Sequence, residues 1–507
     1  MWDELLSDLD SRRAKAIEGG GATRVENQHK KGKLTARERL DILFDEGTFV
    51  EINTLVASRI TDFGMDKKKT PGDGVVCGYG RVNGRVVFAS AQDFTVIGGA
   101  LGEYHARKIC NAMDMAMNAK APFIEINDSG GARIEEGIDS LNGYAGMFKR
   151  HVNMSGVVPQ IAVILGPCAG GACYAPALCD FVFMTKENSQ MYLTGPKVIK
   201  EVTGEEVTAM ELGGAGVHSG ISGVAHFVYD NDRECLLAVR KLLSYLPQNY
   251  LEKPEAVKPS KKYFHKRLRD IVSPNQKNTY DVHDVIEELC DKDTFMEVSE
   301  AFSPNIVVGL MRMEGRTVGV IANQPCKMAG SLDYNSGDKA ARLIRFCDCF
   351  NIPILTLVDV PGFLPGKEQE YKGIIRHGAK MLYAYSEATV PTVTVILRKA
   401  YGGAYIGMNS KGLGADLVYS WPTAEIAVMG AEGAVGIIAS KAVGEEREEK
   451  IAEYTRKFLN PYVAAERGYI DEVIRPEETR ERVINAFAML EQKNVETPGK
   501  KHGNIPL

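Results

Sequence analysis

Two glycine–glycine–alanine turns are the groups in this sequence best placed to meet developing negative charge. The first follows the apolar run 157–165 and the second follows the apolar run 390–397. Backbone N–H groups where a glycine turn opens a helix lack a partner within that helix, and no Cβ blocks a close approach to them. Such fixed donors stabilise an anion that forms during a reaction. The first cradle comprises Gly170, Gly171 and Ala172, and the second cradle comprises Gly402, Gly403 and Ala404.

A single turn of this kind is also consistent with tight packing of a helix on a sheet, so the duplication favours the anion-binding interpretation. A further glycine pair follows the strand-like run 123–127, and its N–H groups are predicted to complete the first cradle from the facing side. The carboxylates that end the two matching runs, Asp128 and Asp359, act either in catalysis or as caps of the next turn, and the capping role is favoured. The facing segment comprises Gly130, Gly131 and Ala132.

The elements that position these turns repeat along the chain at an offset of 231 or 232 residues. The matching pairs are 88–92 with 320–324, 98–99 with 330–331, Lys108 with Lys339, 118–128 with 350–359, and 129–131 with 360–362. Five such correspondences in the same order indicate a duplicated fold. In the first half, Asn83-Gly84 separates two strand-like runs and predicts a hairpin, and a helix is expected over 102–119. Alternating strands and helices then predict an α/β fold with a largely parallel sheet in each half.

Local sequence patterns indicate where the first helix begins and where the two halves of the chain meet. Thr35 and Glu38 have capping-box spacing and predict a helix start in the polar N-terminal segment. Residues 251–269 are rich in proline and lysine, which is typical of a linker. We therefore expect an N-terminal domain over 1–257 and a C-terminal domain over 262–507, with a second hairpin over 311–320 and a helix over 338–349.

Composition limits the function classes. A chain of 507 residues exceeds what one core usually supports, and its net charge of -5 argues against general nucleic-acid binding. The basic run 67–69 is expected to be a solvated loop. The uncharged run 157–179 contains three prolines, so it predicts a buried strand and short helix, and no membrane insertion is expected. The ten cysteines show no CxxC pair and the start resembles no signal peptide, which favours a cytoplasmic protein.

Several common catalytic motifs are missing. The sequence contains no Walker A motif, no GxGxxG after a strand, no HExxH and no GxSxG, and its nine histidines lack metal-ligand spacing. Residues 326–328 are only faintly similar to a biotin-attachment site and lie inside a repeat unit. We therefore expect no ATP site, no metal and no prosthetic group attached to this chain.

These residues identify a family. Over nearly its whole length the chain resembles the biotin-dependent acyl-CoA carboxyltransferases, most closely propionyl-CoA carboxylase β subunits and methylmalonyl-CoA decarboxylase α subunits. The most specific stretches are 127–133, 398–405 and 421–430. The resemblance implies two tandem crotonase-like (ClpP/crotonase) domains, each a superhelix of ββα repeats. It places acyl-CoA on the N-terminal domain and carboxybiotin on the C-terminal domain.

The resemblance also implies partners and residue roles. Carboxybiotin would be carried by a separate biotin carboxyl carrier and charged by a biotin carboxylase subunit. The chain would form a homohexamer of three dimers, with each active site between the N-terminal domain of one subunit and the C-terminal domain of its mate. The first cradle would stabilise the thioester enolate, and the second would hold the ureido oxygen. Further acyl-CoA contacts are implied at the facing segment and at Gly330, Ser331 and Ile406.

Three functions remain open at this point. The first is a carboxyltransferase acting between propionyl-CoA and methylmalonyl-CoA, although Ile406 stands where many propionyl-CoA carboxylases carry aspartate. The second is the carboxyltransferase subunit of a sodium-pump methylmalonyl-CoA decarboxylase. The third is a non-enzymatic CoA-binding scaffold for biotin proteins, which is disfavoured because both cradles are intact.

Overall fold

The computed structural model describes residues 1–260 and 267–507, which form two compact units. The N-terminal unit is Met1–Lys253 and the C-terminal unit is Pro254–Leu507. The division lies a few residues before the expected domain end at 257, because the Val257 N–H donates to Gly315 O at 3.0 Å within the C-terminal unit. Lys261 and Lys262, which belong to the expected linker, lie outside the described residues.

The N-terminal unit is built on one mixed sheet with the order β1-β2-β3-β4-β5-β6-β8, and β7 pairs with the end of β5. Only β1, β2 and β3 pair antiparallel, and every later pair is parallel. Its strands are β1 (Val50–Ile52), β2 (Val75–Val82), β3 (Arg85–Gln92), β4 (Phe123–Ser129), β5 (Gln160–Ala169), β6 (Phe181–Thr185), β7 (Gln190–Tyr192) and β8 (Phe227–Tyr229).

Helices cover the parallel part of this sheet. They are α1 (Trp2–Glu18), α2 (Ala22–His29), α3 (Ala36–Leu43), α4 (Glu103–Ala119), α5 (Ile138–Met154), α6 (Tyr174–Leu178), α7 (Pro196–Thr203), α8 (Ala209–Gly213), α9 (Ala215–Gly220) and α10 (Asp232–Leu243). Short 3-10 helices lie at Asp62–Lys68, Ile97–Gly99, Ile134–Glu136 and Gly170–Cys173. The α3 start carries the predicted capping box, since Thr35 accepts from the Glu38 N–H and Glu38 accepts from Thr35.

The predicted Asn83-Gly84 hairpin is confirmed. Val82 pairs with Arg85 across a two-residue turn, and Asn83 and Gly84 both have positive φ, at 50° and 81°. Asparagine and glycine tolerate this left-handed backbone, and its twist matches that of the flanking strands. The expected helix over 102–119 is α4, for which Gly102 is the N-cap.

The C-terminal unit repeats the same sheet. Its order is β16-β14-β13-β12-β11-β10-β9, with β15 on the end of β13 as β7 is on β5. The second predicted hairpin joins β10 and β11 through Glu314 and Gly315, which again have positive φ. Its strands are β9 (Met296–Glu297), β10 (Ile306–Met313), β11 (Arg316–Asn323), β12 (Ile354–Val360), β13 (Thr392–Tyr401), β14 (Leu417–Ser420), β15 (Glu425–Ala427) and β16 (Glu472–Val473).

The helices of the C-terminal unit also follow the repeat. They are α11 (Leu268–Ile271), α12 (Val282–Leu289), α13 (Tyr334–Cys349), α14 (Lys367–Tyr371), α15 (Ile374–Glu387), α16 (Gly402–Gly407), α17 (Ala431–Ile438), α18 (Gly444–Phe458), α19 (Pro461–Glu466) and α20 (Thr479–Met489), with 3-10 helices at Met328–Gly330, Lys411–Leu413 and Pro476–Glu478. The helix expected from residue 338 begins one turn earlier, because the Asp333 side chain caps the Ser336 N–H.

Each unit has its own apolar core between the sheet and its helices. The uncharged run 157–179 contributes β5, whose residues Ile161–Leu165 are fully buried, so it is core as predicted. Among the described residues, every helix is too short or too polar to cross a lipid bilayer. The predicted α/β class and the duplication are confirmed in both sheets.

Candidate active site

The first cradle lies where β5 gives way to the Gly170–Cys173 turn. Gly170 has φ of 64°, a left-handed conformation that a side chain would strain. Gly171 has no such backbone constraint, but a Cβ there would lie 3.5 Å from the Tyr144 ring. The turn itself offers no acceptor to the first N–H groups of this short helix. The two glycines therefore have different roles. Gly170 allows the left-handed turn, and Gly171, which has no Cβ, keeps the space between the turn and the Tyr144 ring open.

The second cradle has the same construction at the junction of β13 and α16. Gly402 has φ of 58°, and a Cβ on it would lie 3.0 Å from Val428 O. A Cβ on Gly403 would lie 3.9 Å from the Phe363 ring. The first N–H groups of α16 have no acceptor within the helix. The structure thus gives both predicted cradles one backbone geometry.

The facing segment does not supply donors as predicted at two of its three residues. The Gly130 N–H donates to Gly98 O at 3.0 Å, and the Gly131 N–H donates to Ser129 Oγ at 3.1 Å. Both groups are therefore already used inside the protein. Gly131 is required for another reason, because its φ is 105° and a Cβ would lie 2.9 Å from Ala169 O at the end of β5.

Ala132 is the residue of this segment whose N–H is directed toward the cradle side. Leu101 donates to Gly131 O and accepts from the Arg133 N–H, both at 2.9 Å. The residue between those partners directs its own N–H to the opposite edge of the strand. Leu101 follows β3, so the opposite edge of β4 is the one that pairs with β5. The Ala132 N–H therefore faces the edge on which the first cradle lies.

Phe363 has the equivalent position in the C-terminal unit and was missed by the sequence reasoning. Leu332 donates to Gly362 O at 3.1 Å and accepts from the Leu364 N–H at 2.8 Å, which leaves the Phe363 N–H on the β13 side. The 231-residue offset that relates Lys108 to Lys339 also relates Ala132 to Phe363, so the repeat contained the signal.

Gly330 and Ser331 belong to the C-terminal unit, whereas the facing segment belongs to the N-terminal unit. Their N–H groups donate to Lys327 O at 2.9 Å and Met328 O at 3.0 Å. Gly330 has φ of 78°, and a Cβ there would lie 2.6 Å from Asp359 O. This turn is the counterpart of the one at Gly99. Ile406 lies on α16, and 46% of its surface is exposed.

Asp128 is held by buried cations. Its carboxylate lies 2.7 Å from Lys33 Nζ and 2.9 Å from Arg39 Nη1, and Gln28 donates to it at 2.9 Å. Arg39 also contacts Asp232 at 2.8 Å. Burial lowers the pKa of Lys33, and the charge of Asp128 opposes that shift. A carboxylate fixed by two cations in the core supports the structural role that the sequence favoured.

The charge of Asp359 is balanced by a cation from the neighbouring strand. Arg398, within β13 of the same unit, contacts it at 2.8 Å, and the Tyr280 hydroxyl donates to it at 3.0 Å. The residue equivalent to Arg398 is Gly166, where a Cβ would lie 2.6 Å from Lys33 Nζ. A Cβ on Gly166 would also lie 2.0 Å from Asp128 Oδ1, so this glycine makes room for the pair of Asp128 and Lys33.

A polar cavity of about 480 Å³ lies in the N-terminal unit and carries a concentrated positive charge. Its lining includes the turn residues Ile97 and Gly98. This turn is joined to the facing segment by the hydrogen bond from the Gly130 N–H to Gly98 O. Such clustered cations attract phosphate groups. The run 67–69, expected to be a solvated loop, is thus part of a larger basic site. The cationic lining residues are Arg24, Lys31, Lys67, Lys68 and Lys69.

Comparisons with known proteins show the family of this chain. The family model described as carboxyl transferase domain matches residues 27–505. This chain belongs to the carboxyl transferase family. It is 56% identical to the methylmalonyl-CoA decarboxylase subunit alpha of Propionigenium modestum over 510 residues, covering 99% of both chains. It is also 56% identical to the propionyl-CoA carboxylase beta chain of Roseobacter denitrificans, covering 99% of this chain and 100% of that one.

One solved structure matches this carboxyl transferase over its whole length. The transcarboxylase 12S structure, described as a hexamer with methylmalonyl-CoA and methylmalonic acid bound, matches with a TM-score of 0.98 and 54% identity. The match covers 100% of this chain and 99% of that chain. The predicted crotonase-like fold is therefore confirmed, and the protein is an acyl-CoA carboxyltransferase, as the sequence analysis expected.

Two buried lysines brace equivalent places in the carboxyl transferase fold. Lys108 Nζ donates to Gly72 O at 2.9 Å and Val75 O at 2.6 Å. Lys339 Nζ donates to Phe302 O and Ile306 O, each at 2.8 Å. Burial lowers the pKa of Lys108, and it lowers the pKa of Lys339 to about 8. Each lysine thus ties a helix to the start of the hairpin in its unit.

One buried cluster among the described residues has ligand-like spacing. Glu125 Oε2 lies 3.1 Å from His151 Nε2, and Cys179 Sγ lies 3.8 Å from His151 Nδ1. The ligand atoms of the three residues all lie within 4.8 Å of one another, and His151 Nδ1 also lies 2.8 Å from Gln160 Oε1. The equivalent place in the C-terminal unit holds a neutral pair, in which Thr356 Oγ1 and the Tyr385 hydroxyl are 2.9 Å apart. We interpret the cluster as a buried ion pair.

Proposed function

We propose that this carboxyltransferase moves a carboxyl group between carboxybiotin and the α-carbon of a short acyl-CoA, converting propionyl-CoA and methylmalonyl-CoA into each other. The observation that carries the proposal is the pair of cradles with one geometry in a chain of this family. An enolate oxygen and a ureido oxygen both gain negative charge during the reaction, and each needs fixed donors.

On the acyl-CoA side, we assign the thioester oxygen to the first cradle. We assign the donor role to the N–H groups of Ala172 and Ala132, with Gly170 and Gly171 shaping the turn. Removing one donor of an oxyanion site commonly lowers the rate about 10²–10³-fold. The donors are backbone groups, so they hold their positions before the charge develops.

On the biotin side, we assign the ureido oxygen to the second cradle. The donors there are the N–H groups of Ala404 and Phe363, and Gly402 and Gly403 keep the approach open. A Cβ at Gly403 would meet the Phe363 ring only at van der Waals distance, so the space beside this glycine suits a flat ligand. When bound, carboxybiotin supplies the carboxyl group and a ureido nitrogen that can exchange the α-proton.

The basic cavity is the candidate site for the CoA phosphates. Five cationic side chains line it, and the turn at Ile97 and Gly98 lies between it and the facing segment. Negative phosphate groups would be attracted there while the pantetheine arm runs toward the first cradle. We place Gly330, Ser331 and Ile406 at the acyl group of a substrate bound by a partner chain, which rests on the resemblance to the family.

Assembly and partners belong to the same proposal. We infer a homohexamer in which the N-terminal domain of one chain, residues 1–257, works with the C-terminal domain of another, residues 262–507. The solved transcarboxylase 12S is described as a hexamer, which supports this inference. A separate biotin carboxyl carrier with its biotin carboxylase would supply carboxybiotin. We expect the complex to work in the cytoplasm.

The direct test is carboxyl exchange by the purified protein. Free biotin and methylmalonyl-CoA are mixed with the chain, and loss of the carboxyl group is followed; acetyl-, propionyl- and butyryl-CoA are then compared as acceptors from carboxybiotin. We expect exchange with propionyl-CoA as the preferred acceptor. Binding of acyl-CoA without any exchange would favour the scaffold hypothesis instead.

A second candidate function has its own support. The chain is as similar to the Propionigenium modestum decarboxylase subunit as to the carboxylase beta chain, at 56% identity to each. A sodium-dependent release of CO₂ from methylmalonyl-CoA by the native complex would assign it to a decarboxylase. ATP-dependent carboxylation of propionyl-CoA by that complex would assign it to a carboxylase.

A further inference from the structure

Each cradle is backed by one aromatic ring, and the two rings come from different segments. In the N-terminal unit, Tyr144 on α5 lies beside Gly171, with 3.5 Å between its ring and the place of a Cβ. In the C-terminal unit, Phe363 after β12 lies beside Gly403, at 3.9 Å by the same measure. The repeat therefore keeps an aromatic ring at each cradle while changing its origin.

Two pairs of equivalent positions differ between the units, and in each pair one unit has an aromatic residue where the other has a small residue. The bridges of Leu101 with Ala132 and of Leu332 with Phe363 show that alanine stands where the second unit has phenylalanine. His151 and Tyr385 contact equivalent residues of β4 and β12, and Tyr144 and Gly378 each lie seven residues before them. A Cβ on Gly378 would lie 3.1 Å from the Phe363 ring, so this glycine makes room for that ring.

Because the two aromatic rings come from different segments, a ligand would contact different side chains at the two cradles. The Tyr144 ring is buried, with 3% of its surface exposed, and the small Ala132, whose N–H faces the first cradle, is only partly buried. The Phe363 ring is only partly buried and also lies 3.7 Å from the place of a Cβ on Gly407. The second cradle thus presents an aromatic surface to its ligand, whereas the first leaves space of about a side chain.

We propose that Phe363 determines the specificity of the second cradle by packing its ring against the planar ureido ring of biotin. An aromatic ring packs on a flat group through offset or edge contacts, which favours a planar ring over a branched acyl chain. The smaller Ala132 leaves the first cradle open to an acyl group with an α-substituent. This inference rests on the proposed function, since it assumes that the second cradle serves biotin.

The test compares three variants with the wild-type chain in exchange assays with free biotin and methylmalonyl-CoA. Phe363→Ala removes the ring, and the double variant Phe363→Ala/Gly378→Tyr rebuilds a ring from α15, as in the N-terminal unit. Tyr144→Ala is the matched change at the first cradle. Thermal unfolding of each variant separates loss of packing from loss of ligand contact.

We expect Phe363→Ala to raise the KM for free biotin roughly tenfold and to leave the KM for methylmalonyl-CoA within about twofold. The double variant should regain the wild-type unfolding temperature but keep the raised KM for biotin. Tyr144→Ala should raise the KM for methylmalonyl-CoA only.

Two results would overturn the inference while leaving the proposed function intact. One is a normal KM for biotin in the double variant, which would show that the ring only fills space. The other is a larger effect of Phe363→Ala on methylmalonyl-CoA than on biotin. Failure of the wild-type chain to exchange carboxyl groups at all would overturn the proposed function together with this inference.

Discussion

Arg39 and Asp128 form a fully buried ion pair in the N-terminal unit, with 2.9 Å between Nη1 and the carboxylate. The pair lies behind the first cradle, because Asp128 is at the end of β4 and Arg39 Nη2 donates to Leu165 O of β5 at 2.8 Å. It therefore fixes the strand ends from which both the facing segment and the cradle begin.

Removing the arginine should destabilise the N-terminal unit strongly. Arg39→Met leaves a buried carboxylate with one cation instead of two, and loss of one partner of a buried pair costs about 3–5 kcal/mol. Urea unfolding followed by tryptophan and tyrosine fluorescence measures the change. The control is Arg12→Met, whose solvent-exposed pair with Asp8 should leave the free energy of unfolding nearly unchanged. Equal effects of the two variants would contradict this assignment.

The turn glycine of the second cradle and a glycine in open space should respond differently to alanine. Gly402→Ala places a side chain at φ of 58° and a Cβ 3.0 Å from Val428 O, so we expect a loss of about 1–3 kcal/mol and reduced exchange. Gly436→Ala, in open space on α17, should be neutral or stabilise the protein by up to about 1 kcal/mol. Thermal unfolding and exchange rates are measured for both, and a harmless Gly402→Ala would show that the turn tolerates a side chain.

Gly403→Val tests the division of labour between the cradles. Its branched side chain fills the space beside the Phe363 ring, so turnover with biotin should fall by about two orders of magnitude. The affinity for acyl-CoA, measured by calorimetry, should stay within about twofold of wild type. A parallel loss of both would mean that the two cradles are assigned to the wrong ligands.

Lys339 should give the C-terminal unit a distinctive pH dependence. Its pKa is lowered to about 8 by burial, whereas the lysine in the unfolded chain keeps a value near 10.5, so the unfolded state binds more protons between these values. Stability should therefore rise by up to ~3 kcal/mol as the pH increases from 8 to 10.5.

The measurement is the unfolding temperature across this pH range. Lys339→Met should flatten the rise, whereas Lys277→Met, which replaces an exposed lysine of the same unit, should preserve it. A wild-type profile that falls steadily over this range and is unchanged by Lys339→Met would refute the assignment.

The basic cavity should bind CoA through its phosphates. Replacing Lys67, Lys68 and Lys69 together by alanine should raise the KM for propionyl-CoA about 10–100-fold, and more salt should reduce the difference. Propionyl-pantetheine, which lacks the nucleotide phosphates, should show the same KM with both proteins. The exposed Lys149→Ala on α5 is the charge control. An equal rise for propionyl-pantetheine would place the effect elsewhere.

Much of the fold could be predicted from local sequence patterns. Asn83-Gly84 specifies its hairpin through backbone preference alone, and the capping box at Thr35 and Glu38 marks a helix start for the same reason. The repeat then extended these local signals to the C-terminal unit. The two cradle turns were predictable because glycine is needed at Gly170 and Gly402 for a left-handed backbone.

Other features depend on residues that are distant in sequence. The partners of Asp128 come from the N-terminal segment, and no local pattern relates Lys33 or Arg39 to a strand end almost a hundred residues later. The N–H groups of Gly130 and Gly131 were expected to be free, but Gly130 donates to Gly98 O, which depends on how a distant turn packs, and Gly131 donates to the Ser129 side chain. Phe363 was visible only by carrying the repeat one residue further.

The buried contact of Arg39 with Asp232 also has a consequence during synthesis. These residues are 193 positions apart, so the N-terminal unit cannot complete its core until almost all of it has left the ribosome. Asp359, the C-terminal counterpart of Asp128, is neutralised by Arg398, only 39 positions away. A nascent chain stalled before residue 232 should therefore present an unfinished, protease-sensitive first unit, whereas the second has its counterion as soon as β13 emerges.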